Sequence, residues 1–229
     1  MILQQVRALL QQIDIEGATP EKLLGDDLGM DSQERLCFRE DIERHLNIAL
    51  GDNELDADLT VAGLAALISR KKLPIPAPSG FDGILIEDVT IAAPLADVRQ
   101  GLFDVASWPA KLPHVTGITV AFDDGRYQEF TMDVDGADGK PISVRSVRRC
   151  VEDRITFFQP KPPAFLRHHC GEWFFRELDT DLTHLTTVHR WNLADNTTDQ
   201  EAERITRLLR DHACLALATW KRILEGGVS

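Results

Sequence analysis

The stretch KKLPIPAPSG, residues 71–80, divides the sequence into two parts of different character. It holds three prolines, a serine and a glycine within ten residues. Proline fixes φ and lacks an amide donor, so this stretch can neither continue a helix nor join a central strand. Proline-rich segments act as semi-rigid spacers. We therefore predict a linker at 71–80 between one domain at residues 1–70 and another at residues 81–229.

Charge and composition limit the partners of both domains. The chain of 229 residues has a formal net charge of -12, and its hydrophobic fraction of 43% is sufficient for packed cores. Residues 1–70 hold 14 acidic and 6 basic side chains, so much of the charge is N-terminal. We expect no nucleic-acid partner and no membrane partner. Scattered cysteines without CxxC spacing favour a reduced, cytoplasmic chain: Cys37, Cys150, Cys170 and Cys214.

Residues 1–70 have the pattern of a small helical bundle. Apolar residues recur at helical spacing over residues 2–13, from Asp31 onward and over LTVAGLAALISR, residues 59–70. In GMDSQERL, Asp31 can cap a helix, and Glu34 completes a capping box three residues later. By this local reasoning Ser32 is simply the first helical residue.

The segment DDLGMDSQ…AALI, residues 26–68, resembles an acyl carrier protein, in which a G-x-D-S motif opens the second helix. The resemblance implies a four-helix bundle, with a 4'-phosphopantetheine arm on Ser32. It also implies a phosphopantetheinyl transferase and a ketosynthase or other polyketide synthase enzymes as partners. An exposed hydroxyl beside free helix amides suits such a phosphodiester. A docking module that is never modified remains the alternative.

Residues 81–229 have an α+β pattern. A β-branched run at 83–93 precedes a helix that opens with Pro94 and a short helix interrupted by proline at 106–115. Six strand-like runs separated by turn residues follow, and a long amphipathic helix covers roughly residues 197–225. This order predicts a curved antiparallel sheet around the long C-terminal helix, with a cavity between them.

Two segments resemble the polyketide cyclase/aromatase branch of the START-like, helix-grip superfamily: VASWPAKLPHVTGITVAF (105–122) and HHCGEWFFREL (168–178). The resemblance covers residues 81–226. It implies a helix-grip fold and a poly-β-ketone acyl chain as substrate. Because the superfamily also includes lipid carriers, fold alone does not determine function.

Strand alternation in PISVRSVRRCV, residues 141–151, indicates where a site would lie. One face carries Ser146 and Arg148 among apolar residues, and we take it as the cavity face. The opposite assignment would give the role to Arg145. Arg148 then stabilises ketone or enolate oxygens, since a guanidinium keeps its proton. The structural alternative is that Arg148 pairs with an acidic neighbour or extends its charged end to the rim of the cavity.

Other side chains complete the candidate site. His189 and His169 are proposed proton carriers, although buried histidines are often structural. Consecutive strand residues point to opposite faces, so His168, His169 and Cys170 are not expected to form a metal site. The predicted pocket walls are Trp173, Trp191, Tyr127 and His114.

These observations together predict a carrier domain tethered to a cyclase/aromatase. The carrier would hold a poly-β-ketone thioester on Ser32, and the second domain would fold, cyclise and dehydrate it. The tether would raise the local substrate concentration. The main alternative is non-enzymatic binding or delivery of a hydrophobic acyl chain. Dehydration of a shorter or aryl acyl group is a further alternative.

Overall fold

A computed structural model describes residues 1–75, 80–113, 115–135 and 141–226. Part of the predicted linker, residues 76–79, and the candidate pocket residue His114 lie outside the described residues. No helix in the described ranges combines the length and hydrophobicity that crossing a bilayer demands.

Three helices form the N-terminal domain: α1 (Ile2–Gln12), α2 (Ser32–Leu46) and α3 (Val61–Lys71). Asp31 caps α2 as expected, because its side chain accepts from the amides of Gln33 and Glu34, and Glu34 reciprocates. Thr60 caps α3 through the amide of Gly63. The apolar faces of the helices share one core, which includes Leu3, Val6, Leu10, Phe38, Ile42, Leu64 and Ile68.

The four-helix bundle implied by the carrier resemblance differs from the three helices observed. Between α2 and α3, residues 47–60 form turns instead of a helix. Asn47 ends α2 in the left-handed region at φ 52°, and the Glu54 carboxylate accepts from the amide of Gly51 at 2.6 Å. Such local bonds from acidic side chains to the backbone compete with helix formation.

Within the described ranges, the C-terminal domain has seven antiparallel strands, three α-helices and one short 3-10 helix (Val105–Ser107). The sheet order is β1-β7-β6-β5-β4-β3-β2. The strands are β1 (Gly83–Ile91), β2 (Val115–Asp123), β3 (Tyr127–Asp135), β4 (Pro141–Val151), β5 (Arg154–Lys161), β6 (Leu166–Asp179) and β7 (Leu182–Leu193), and the helices are α4 (Leu95–Phe103), α5 (Trp108–Lys111) and α6 (Asp199–Leu224).

The long helix α6 packs on one side of the sheet, against β1, β7 and α4. A capping box of Thr198 and Glu201 begins it. Its buried stripe, Ile205, Leu209, Ala213, Leu217 and Trp220, contacts strand residues that include Leu85, Trp191, Ile155 and Leu185. We call the sheet face toward α6 the inner face and the opposite one the outer face.

The N-terminal helices pack against β6 and β7. Leu178, at the end of β6, is fully buried in the helical core. Arg7 of α1 pairs with Asp179 at 3.2 Å. Arg70 of α3 pairs with Asp88 of β1 at 3.0 Å, and Asp88 also meets the buried His184 at 3.0 Å. Apolar and charged contacts therefore join the two domains.

Candidate functional site

Strand β4 places its two arginines on opposite faces of the sheet. Arg148 lies on the inner face with 4% of its surface exposed. Arg145 lies on the outer face, where its Nε donates to Glu129 Oε1 at 2.8 Å. Period-two alternation produces this separation. The arginine available to an interior site is therefore Arg148.

The Arg148 guanidinium is held by neutral groups. Its Nη2 donates to the Leu102 carbonyl oxygen at 2.9 Å and to Gln128 Oε1 at 2.6 Å. The guanidinium carbon lies 5.3 Å from the ring centre of Trp108 and 5.2 Å from that of Phe130. Its buried Nε has no partner among the described residues. This donor is thus left without a hydrogen bond in the interior.

Charge at Arg148 persists despite burial. Removal from water lowers the pKa of Arg148 to about 10, so the side chain is a cation at neutral pH. The Asp123 carboxylate raises the pKa of Arg148 slightly from a distance, and Gln128 Nε2 donates to Asp123 Oδ2 at 2.9 Å. No carboxylate pairs directly with Arg148 within the described ranges. Its positive charge therefore faces dipoles and aromatic rings.

Ser146 and Cys150 flank Arg148 on the same face of β4, and both are buried. Ser146 pairs with Phe130 across the β3–β4 ladder and lies at a bulge in the β4–β5 ladder. Cys150 Sγ lies 3.6 Å from Gln128 Oε1, and burial raises the pKa of this thiol. The thiol is therefore protonated at neutral pH.

Four side chains on β5, β6 and β7 form a second polar group on the inner face. His169 Nδ1 lies 2.7 Å from Gln159 Oε1, and His169 Nε2 lies 3.0 Å from His189 Nδ1. His189 Nε2 lies 3.0 Å from Thr187 Oγ1. The two imidazoles stack with ring centres 5.3 Å apart. We call Gln159, His169, His189 and Thr187 the imidazole chain.

Both imidazoles are neutral at pH 7. Burial, with the charge of His168 as a smaller cause, lowers the pKa of His169 to about 4. Burial and then His169 itself lower the pKa of His189 to about 3. Neutral imidazoles can accept a proton from an acidic carbon or hydroxyl, although their low pKa limits them as bases at pH 7.

The sheet register separates the two polar groups. Arg148 pairs with Phe157, Phe157 with Gly171, and Gly171 with His189. Three strand spacings, or about 14 Å, thus separate Arg148 and His189 along the ladder. A Cβ at Gly171 would lie 2.5 Å from Phe157 Cζ, so glycine lets the ring lie against the strand.

The other predicted pocket residues have different positions. Trp173 is on the inner face, half-buried, with its ring 6.5 Å from that of His189. Trp191 is a core residue that packs with Leu85, so it leaves no free wall. The prediction for Tyr127 is wrong: it begins β3 on the same face as its pair Arg149, and it is 42% exposed.

Several inner-face side chains keep some exposed surface even though α6 covers part of the sheet. They include Met132, Val134, Phe157, Gln159 and Trp173. Since α6 packs mainly on β1 and β7, the inner surface of the strands from β3 to β6 is less covered. The partly exposed side chains of this surface lie beside the buried Arg148 and His169, which are 4% and 6% exposed.

Ser32 lies apart, at the exposed start of α2. A surface groove beside it is lined by Arg35, Leu36 and Arg39 together with residues of the following turns. Leu36 is 47% exposed, and Arg39 pairs with Asp52 at 2.7 Å. An exposed hydroxyl, a helix N-terminus and two nearby arginines fit a phosphodiester, and Leu36 fits an alkyl amide arm.

Sequence reasoning missed three polar members of the site: Gln128, Gln159 and Thr187. All three occupy inner-face positions of their strands. Gln128 is in register with Arg148, Gln159 lies two residues after Phe157, and Thr187 lies two residues before His189. The available signal was a polar residue at a strand position whose face is otherwise apolar. Such a residue needs hydrogen-bond partners when it is buried, so it indicates a polar site.

Known proteins resemble part of the chain. No protein-family profile matches the chain. The sequence is 29% identical over 140 residues to the actinorhodin polyketide synthase bifunctional cyclase/dehydratase of Streptomyces coelicolor, covering 56% of this chain and 42% of that protein. This chain thus spans less than half of the relative's length.

Two solved structures extend the comparison. The di-domain ARO/CYC BexL from the BE-7585A biosynthetic pathway has a TM-score of 0.57 at 26% identity, covering 63% of this chain and 50% of BexL. The ZhuI aromatase/cyclase from Streptomyces sp. R1128 has a TM-score of 0.57 at 22% identity, covering 64% of this chain and 99% of ZhuI. The predicted helix-grip fold of the C-terminal domain is confirmed, and these relatives act in polyketide cyclisation or aromatisation.

Proposed function

We propose that the C-terminal domain binds a poly-β-ketone chain on its inner face and promotes its cyclisation and aromatisation. The observation that carries this proposal is Arg148, a buried cation that has no carboxylate partner and an Nε without a hydrogen bond in the described part of the chain. Similarity to a polyketide cyclase/dehydratase over 140 residues supports it.

Arg148 acts in this proposal as an oxyanion donor. In an aldol closure, an enolate carbon bonds to a ketone carbon, and the ketone oxygen takes a proton. Dehydration then removes an α-hydrogen and that hydroxyl as water. Negative charge develops on oxygen in the enolate and in the addition step. A desolvated guanidinium stabilises that charge more than water does, because it requires no reorganisation.

His169 and His189 are the proposed proton carriers. They lie on the inner face, and each ring nitrogen is already hydrogen-bonded within the imidazole chain. A proton taken from the substrate must therefore enter by exchange along this chain. Phe157 lies between His189 and Arg148 in the sheet, Trp173 lies beside His189, and both rings can hold the acyl chain or the new ring flat.

For the N-terminal domain we propose a carrier role, with Ser32 as the attachment residue for 4'-phosphopantetheine. When bound, the group would present an acyl chain as a thioester. Arg35 and Arg39 would contact the phosphate, and Leu36 would contact the pantetheine. Phosphopantetheinyl transferase would load the arm, and a ketosynthase or another polyketide synthase enzyme would deliver the chain. The acidic face of α2, with Glu40 and Glu43, suits basic partners.

The test is reconstitution with a minimal polyketide synthase that makes a linear poly-β-ketone. Products with and without this protein are compared by mass and absorbance. We expect a shift from spontaneous, mixed cyclisation products to one aromatic product. An unchanged mixture overturns the cyclase proposal. Retention of the intact linear chain on the protein would instead support binding and delivery.

A further inference from the structure

The imidazole chain ends at a carboxamide that has a donor to spare. Gln159 Oε1 faces His169 Nδ1 at 2.7 Å, whereas Gln159 Nε2 meets no acceptor among the residues that the structure describes. Gln159 is half-buried, and its neighbours Phe157 and His169 are in edge contact at 5.6 Å. Gln159 Nε2 is not among the buried atoms that lack a partner, so water can accept from it in the free protein and a ligand oxygen can replace that water.

The hydrogen bonds of the imidazole chain all run in one direction, from Thr187 toward Gln159. A carboxamide oxygen only accepts, so His169 Nδ1–H donates to Gln159 Oε1. His169 Nε2 therefore accepts from His189 Nδ1–H, and His189 Nε2 accepts from the Thr187 hydroxyl. Each neutral imidazole thus carries its proton on Nδ1. Bonds aligned in one direction polarise one another and strengthen the last donor.

We propose that Gln159 is a substrate-binding residue whose Nε2 donates to a ketone oxygen of the acyl chain, and that His169 and His189 hold its carboxamide in that orientation. This inference rests on the proposed function for the ligand class, which is an acyl chain with β-related ketones. The two histidines are then positioning residues for Gln159, in addition to any transfer of protons.

A donor at this position distinguishes oxygenated chains from saturated ones. A ketone satisfies Gln159 Nε2, whereas a methylene displaces water and leaves the donor unpaired. Arg148 pairs with Phe157 from the neighbouring strand and lies on the same face, so a second ketone of the chain can lie toward its cation. Fully reduced acyl chains of the same length have no ketone oxygen that could accept from Gln159 or lie toward Arg148.

Binding of two matched probes tests the ligand class. One is an acyl pantetheine whose chain carries two β-related ketones, and the other is its saturated analogue of equal length, both made as thioethers that do not hydrolyse. We expect the wild-type protein to bind the diketone about fivefold more tightly. Gln159→Leu and Gln159→Glu should abolish this preference, and the outer-face control Thr156→Val should keep it.

Histidine nitrogen NMR tests the orientation independently of any ligand. Both His169 and His189 should give the Nδ1–H tautomer in the wild-type protein. The Nε2–H tautomer at either residue would reverse the direction of the hydrogen bonds in the imidazole chain and turn the Gln159 amide donor toward His169. That result would overturn the inference. Equal affinity of the wild-type protein for the two probes also overturns it.

The two proposals fail in distinguishable ways. A diketone preference that depends on Gln159, without any change in products in the reconstituted synthase, supports this inference and overturns the cyclase function. A shift to one aromatic product that is unchanged in Gln159→Leu supports the cyclase function and overturns the role of Gln159.

Discussion

At the scale of single residues, Arg148 shows how a cation is kept charged in an interior without a carboxylate. Its guanidinium meets the carbonyl of Leu102 at the negative end of α4, the amide oxygen of Gln128 and the faces of two aromatic rings. Helix-end carbonyls and π faces favour a cation without neutralising it. The charge therefore stays available to an oxygen that becomes negative during a reaction.

Replacing Arg148 should separate this role from simple surface charge. We expect Arg148→Gln to lower formation of the aromatic product about 100-fold, as loss of an oxyanion donor does. Arg145→Gln, three residues away on the outer face and 54% exposed at its side chain, should have no such effect. Product analysis measures both, with circular dichroism to verify folding. Equal product from the two variants contradicts the role.

The pair His169 and His189 should make folding stability dependent on pH. Folded pKa values of about 4 and about 3 lie below the unfolded value near 6.5. The unfolded chain therefore binds more protons, and stability is lost as pH falls below about 6.5. Between pH 7 and pH 5, each buried imidazole should lower the free energy of unfolding by about 2 kcal/mol.

Urea unfolding at pH 7 and pH 5 measures this dependence. His169→Gln should reduce the difference in the free energy of unfolding between the two values of pH. His212→Gln, at an exposed position of α6, is the matched control and should leave the difference unchanged. An undiminished difference in His169→Gln would assign the acid sensitivity to other groups.

At the scale of elements, the central strands are fitted to one another through Gly171. The ring of Phe157 on β5 lies where a side chain on β6 would begin, and the Val188 carbonyl oxygen would lie 2.1 Å from an added Cβ. Backbone cannot move aside as the end of a long side chain can. Gly171 is therefore required by close approach, which is why a glycine interrupts the alternating strand HHCGEWFF.

Gly171→Ala should destabilise the sheet by about 1–3 kcal/mol, because the added methyl group overlaps both neighbours. Thermal unfolding measures the loss. The double variant Gly171→Ala with Phe157→Leu removes the ring contact but not the contact with the Val188 oxygen, so only part of the stability should return. Full recovery would show that the ring alone imposes glycine.

The start of α2 is the element that would carry the prosthetic group. Intact mass after incubation with coenzyme A and a phosphopantetheinyl transferase should increase by one phosphopantetheine. Ser32→Ala should abolish the increase, and Ser143→Ala, on an exposed strand position, should not. An unmodified wild-type protein under activating conditions refutes the carrier proposal and leaves the docking-module alternative.

At the scale of the whole molecule, the helical domain and the sheet share buried surface. Leu178 of β6 belongs to the helical core, and Leu73 packs with Phe174 and Val188 on the outer face. The pairs of Arg7 with Asp179 and of Arg70 with Asp88 flank these contacts. The domains are thus expected to stabilise each other despite the proline-rich segment that joins them.

Leu178→Ala should lower the free energy of unfolding by about 2–5 kcal/mol, the usual cost of a cavity in a packed core. Hydrogen exchange should become faster in α1 and α3 as well as in the β6–β7 hairpin. Exchange that changes in the hairpin alone would contradict mutual stabilisation. Leu215→Ala, at a 56% exposed position of α6, is the control and should change neither.

The sequence by itself determined the local features of this protein. The cap at Asp31, the long amphipathic C-terminal helix, and the opposite faces of Arg145 and Arg148 follow from nearest-neighbour geometry and periodicity. Only the tertiary structure decided which face of β4 is inside, because a period of two is symmetric until α4 and Trp108 cover one side.

Tertiary structure also decided the partners of His169 and His189. Their contact with each other and with Gln159 depends on the register of three strands, and a shift of one residue would turn each set to the other face. Tyr127 was misplaced because its facing was not readable from the sequence. Residues far apart in the chain meet because strand pairing places them on neighbouring strands, and that pairing depends on packing that no local pattern records.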